Sequence, residues 1–126
     1  MKYLFINTVA GYGSTGRIAA DKCRELNGQG HTCVLAYGRM ITGCDDIQTV
    51  RIGSDFEVNC HALESRVLDN SGFGSRRATI AFLKWVREFD PDVIWLHNLH
   101  GYYIHVGELF GYLRTCGKKI IWTLHD

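Results

Sequence analysis

The chain has 126 residues, 46% hydrophobic and 12% aromatic, which suits about one globular domain with a buried core and argues against intrinsic disorder. Fourteen Lys and Arg against thirteen Asp and Glu leave a formal charge of +1, so no large uniform field draws in nucleic acid or anionic lipid, and binding must come from a local patch. The five cysteines, Cys23, Cys33, Cys44, Cys60 and Cys116, are scattered and form no C-x-x-C pair, so they read as reduced thiols that mostly fill the core, not as a disulfide framework or a zinc knuckle.

In chain order, Tyr3-Leu4-Phe5-Ile6 is a continuous apolar run of the kind found in strands buried on both faces of a parallel sheet. It stops at Asn7, far short of a signal-peptide core or a membrane span, and the expected location is cytoplasmic. Glycines follow at once. From Gly16 to Asn27, Ala19, Cys23 and Leu26 recur at helical spacing, with Ser14 or Thr15 to cap the start and Gly28 and Gly30 to end it.

Cys33 to Tyr37 reads as a second buried strand, Gly38 to Asp46 as a polar loop and Gln48 to Ile52 as a short third strand. Ser54 and Glu57 form a capping-box pattern ahead of Phe56, Cys60, Leu63 and Val67, a helix expected to end near Asp69. Asn70 to Ser75 reads as a loop, and Ala78, Phe82, Trp85 and Phe89 mark a further helix that must stop before Pro91. Val93 to Leu96 is a fourth strand, Leu109, Phe110 and Leu113 lie on a helix ended by Gly117, and Lys119 to Leu124 is a fifth strand.

The order β-α-β-β-α-α-β-α-β predicts an α/β fold, a Rossmann-like open and mainly parallel sheet with helices on both faces. In the common strand order the first strand lies beside the fourth, and the binding crevice opens at the strands' carboxyl ends. Ala10 to Gly16, His97 to Tyr103 and His125-Asp126 converge there.

Gly11-Tyr12-Gly13-Ser14-Thr15-Gly16 spells G-x-G-x-x-G between a buried strand and a helix, where bare glycines and free N–H groups favour a phosphate. The alternative is a tight turn that needs glycine for its geometry alone. A dinucleotide fingerprint would place an acidic residue after the second strand, but Tyr37-Gly38-Arg39 offers only Arg39, which suits a 2′-phosphate and leaves an NADP-binding oxidoreductase domain as an alternative. Arg17 stands one residue beyond the third glycine, either against a diphosphate or in solvent.

His97-Asn98-Leu99-His100, His105 and His125-Asp126 could gather at one crevice rim as sugar-hydroxyl partners, acid and base, or metal ligands. H-x-x-H in a loop is a weak metal signal, and strand-end histidines also serve as hydrogen-bonded groups at the edge of a core. Tyr102 and Tyr103 sit in the loop and could stack on a sugar, whereas Trp95, Tyr112 and Trp122 read as core. Arg76 and Arg77 read as a solvated helix start, and His31 as structural or exposed.

FINTVAGYGSTGRIA, GFGSRRAT and, above all, PDVIWLHNLHGYYIHVGELFGYL followed by IIWTLHD resemble the amino-terminal domain of bacterial family 4 (group 1) glycosyltransferases across essentially the whole chain. The resemblance implies the GT-B architecture, two Rossmann-like domains facing a cleft, and transfer of a sugar from a nucleotide-diphosphate donor with retention of configuration, in bacterial surface polysaccharide synthesis. It places residues 1–126 as an incomplete acceptor-side domain, without the rest of that domain or the donor-binding domain, so that activity would belong to a longer parent enzyme.

By the same resemblance, Gly11, Gly13, Ser14, Thr15, Gly16 and Arg17 lie against the donor diphosphate and His125 lies near the transferred sugar. His97, Asn98, His100, Tyr102 and Tyr103 shape the acceptor pocket for a saccharide or lipid-linked acceptor. No metal or other cofactor is required and no nucleic acid is a partner. A peripheral contact with the inner membrane and a homo-oligomer built on exposed apolar surface complete the expectation. A non-catalytic nucleotide-binding module remains a further alternative.

Overall fold

The computed structural model describes residues 1–52, 76–97, 99 and 104–123; the expected helix after Ser54 and the Asn70–Ser75 loop lie outside them. The elements are β1 (Lys2–Ala10), α1 (Gly13–Gly28), β2 (Thr32–Ile41), β3 (Gln48–Arg51), α2 (Arg76–Phe89), β4 (Val93–Leu96), α3 (Val106–Leu113) and β5 (Lys119–Trp122). The five strands form one all-parallel sheet in the order β3-β2-β1-β4-β5, with β1 beside β4 as the strand pattern predicts.

Alternation along each strand sorts side chains onto two faces. Phe5, Cys33 and Leu35 pack with Ala19, Ala20, Cys23 and Leu26 of α1. Leu4, Ile6, Ala36, Ile94 and Leu96 pack on the other face with Phe82, Leu83 and Val86 of α2 and Leu109 of α3. Helices therefore cover both faces, and Cys23, Cys33 and Cys44 are buried free thiols. Burial raises the Cys44 thiol above its ordinary range and keeps it protonated.

Several boundaries differ from the sequence reading. Asn7 does not end β1: it is fully buried inside the strand because its side-chain amide donates to the Val9 carbonyl at 2.8 Å. Gly38–Ile41 belongs to β2 and not to the polar loop, since β1 continues to Ala10 and supplies a partner as far as Ile41. Asn7 pairs with Tyr37 but Val9 with Met40, so β2 carries one extra residue, a bulge.

β4 follows β1 only as far as the Ile6–Leu96 pair, and β3 follows β2 only to the Tyr37–Arg51 pair. Among the described residues, the last of β1 and β2 thus extend beyond the strands that flank them as a two-stranded ribbon. Ribbon and glycine turn stand at the carboxyl edge of the sheet.

At the other end of the fold, α2 stops at Phe89 and Asp90 takes φ 54° as its N–H caps Val86 O at 2.9 Å. Trp122 is a correction to the core assignment: β5 is an edge strand in the described sheet, and Trp122 stays 50% exposed although its ring meets Phe110 at 5.8 Å. Among the described residues no helix is long and apolar enough to cross a membrane.

Candidate functional site

The helix after the glycines begins at Gly13, three residues earlier than the apolar spacing suggests, so Ser14 and Thr15 lie in its first turn and are not its cap. The N-cap is Tyr12, whose side chain makes no capping bond, and the first turn holds no acidic residue. The positive end of α1 is therefore presented without a carboxylate to offset it.

The turn itself is held by backbone contacts. The Gly11 N–H donates to Gly16 O at 3.0 Å, closing the turn over the start of the helix. Gly11 has φ 73°, and a Cβ there would collide with the Thr42 carbonyl and come within 2.8 Å of Cys44 Sγ. Gly13 has nearly the same torsion, φ 67°, but open space around it. One glycine is demanded by close packing, the other by torsion alone. Ser14 and Arg17 are exposed, Thr15 half-buried and Gly16 buried.

The β4–α3 connection is built differently. His97 is only 4% exposed, with its ring 5.1 Å from Phe5 and stacked at 5.9 Å and 11° on Trp95. Its N–H donates to Ile6 O at 2.9 Å and its carbonyl accepts from Trp122 Nε1 at 3.2 Å, tying β4 to both neighbours. His97 is thus packed at the core's edge among the described residues.

His105 is the N-cap of α3: Nδ1 accepts from the Glu108 N–H at 3.0 Å, while its backbone N–H donates to buried Thr79 Oγ1 at 2.7 Å. Glu108 pairs with Arg76 at 2.8 Å, which joins the start of α2 to the start of α3. Arg76 is exposed at its helix start as expected, yet it carries this ion pair. Among the described residues no group of three metal-ligating side chains forms.

Asn98, His100, Tyr102, Tyr103 and His125 lie outside the described residues. Of the predicted site, the structure describes the glycine turn and Arg17 after β1, and His97 after the adjacent β4. Arg39 falls within β2, two residues before its end, and not in the ribose position that follows a strand. The sequence at that position is Thr42-Gly43-Cys44-Asp45-Asp46.

Sequence reasoning missed the residue that ties this segment down. Arg24 of α1 donates to both oxygens of Asp46, Nε at 2.7 Å and Nη2 at 3.1 Å, to Asp21 at 2.9 Å, and to the Gly43 carbonyl. The Arg24 hydrogen bonds hold the Asp46 carboxyl below its usual range. Helical spacing makes the Asp21–Arg24 pair visible in the sequence; Asp46 is 22 positions away and carries no local signal.

No protein-family model, curated protein or solved structure matches the chain.

Proposed function

We propose that the chain is the amino-terminal, acceptor-side domain of a retaining glycosyltransferase that uses a nucleotide-diphosphate sugar. The observation that carries this reading is the glycine turn of β1–α1, at the carboxyl edge of a parallel sheet, delivering an uncapped helix N-terminus with Arg17 exposed one turn on. The sequence resemblance supplies the reaction class.

In this reading the N–H groups of the turn and the Arg17 guanidinium meet the charge that grows on the leaving diphosphate, and a bound metal is not required. These donors are fixed before the reaction, so little reorganisation opposes charge development. His125 contacts the donor sugar. By the resemblance, Asn98, His100, Tyr102 and Tyr103 contact the acceptor beside His97, whose own side chain is buried.

Titration of the chain with uridine diphosphate glucose, guanosine diphosphate mannose and NADP, followed by backbone amide resonances, tests the reading. Shifts centred on Gly11–Arg17 with a nucleotide sugar support it. A response to NADP alone, or none to any of the three, overturns it.

A further inference from the structure

A two-stranded ribbon is marginal without support, and the β1–β2 extension carries the glycine turn beyond the strands that flank it. Gly11 packs directly on the Thr42 carbonyl and Cys44 Sγ, so the position of the 42–46 segment dictates where the Gly11 peptide can lie. Cys44 is itself buried and donates to Thr42 O at 3.3 Å, which makes that support compact.

Arg24 fastens the same segment to α1 through Asp46 and the Gly43 carbonyl, two turns of helix and more below the glycine turn. We propose that Arg24 is a positioning residue: by clamping the 42–46 segment to α1, it sets the geometry in which the glycine turn presents its N–H groups to a diphosphate.

The clamp does not act by adding much global stability. Arg24 is 35% and Asp46 59% exposed, and exposed pairs contribute little to folding. What distinguishes it is geometry: a bidentate carboxylate contact plus a bond to a backbone carbonyl fixes a plane, which a single ammonium cannot do. The effect on ligand rests on the nucleotide-diphosphate reading above, whereas the effect on the turn does not.

The test compares wild type, Arg24→Met, Arg24→Lys and Asp21→Asn, using amide hydrogen exchange of Gly11 and the dissociation constant for uridine diphosphate. Arg24→Met should speed Gly11 exchange and weaken uridine diphosphate binding, each by about tenfold, with β1 core amides such as Ile6 unchanged. Arg24→Lys, which keeps the charge opposite Asp46 but not the planar fork, should recover part of both, and Asp21→Asn should change neither.

Unchanged Gly11 exchange in Arg24→Met, or an equal rise at Ile6, overturns the proposal. If Arg24→Met does not fold, Asp46→Asn takes its place under the same criteria. If wild type fails to bind uridine diphosphate while Gly11 still responds to Arg24, the nucleotide reading falls and the clamp stands.

Discussion

The two connections that leave the carboxyl edge of neighbouring strands, β1–α1 and β4–α3, solve different problems. The first exposes backbone: a turn closed by Gly11 N–H to Gly16 O, followed by a helix N-terminus without a side-chain cap. The second consumes side chains, with His97 stacked on Trp95 and tilted against Phe5 and His105 capping α3. The difference teaches that a chemically capable residue type says little about function until its hydrogen bonds are accounted for. Histidines look like the obvious chemistry in this sequence, yet His97 and His105 make contacts that hold the fold, and the helix start without a side-chain cap lies at the glycine turn.

The largest expected effect sharpens the first side of that comparison. Gly11→Ala combines a left-handed torsion with a collision against the Thr42 carbonyl, so it should lower stability by about 3 kcal/mol in urea unfolding. Gly13→Ala, with the same torsion and open space, should cost only about 1 kcal/mol while still weakening diphosphate binding. Equal losses for the two would mean that close packing at Gly11 is not what holds the turn.

The second side is tested by His97→Ala, which should cost about 2 kcal/mol because it opens space beside Phe5 and Trp95. His105→Ala removes a cap and should cost about 1 kcal/mol. A loss of nucleotide affinity without loss of stability in either variant would return these histidines to the binding site. The predicted pattern is the opposite, with stability falling and affinity at the glycine turn preserved.

The smallest effect is electrostatic. Asp46 and Asp90 are held below the ordinary carboxylate range by hydrogen bonds from Arg24 and Lys118. A folded pKa below the unfolded one adds stability that is fully present above the unfolded value, about pH 4, and is lost as pH falls through the lowered folded value. Lys118 is shifted upward by Asp90, so its contribution is present below its unfolded value and disappears as pH rises through the folded one. Asp46→Asn and Asp90→Asn should each flatten the fall of Tm on the acid side, and melting curves at about pH 3, 4 and 6 would show it.

Much of the architecture is written locally. Apolar runs at Tyr3–Ile6, Cys33–Tyr37 and Val93–Leu96 are buried strand cores, and the stripe Ala19, Cys23, Leu26 lies on the sheet because helical period and burial describe the same constraint. Trp85 and Phe89 fall beside Phe82 as spacing predicts, their rings stacked at 6.0 Å and 5.2 Å along α2. The stripe missed Leu83 and Val86, which are buried because the sheet and α3 reach around a wider arc of that helix.

The order and apolar period of the residues thus determined a parallel α/β sheet with a glycine turn after its first strand, since each depends on residues near one another in the chain. Tertiary structure decided where β1 and β2 end, that Asn7 is interior, that His97 and His105 belong to the fold and that Arg24 holds the 42–46 segment. Those outcomes depend on partners far apart in sequence, Val93–Leu96 beside Tyr3–Ile6 or Asp46 beside Arg24, and hydrogen bonding between distant groups leaves no periodic trace in the chain.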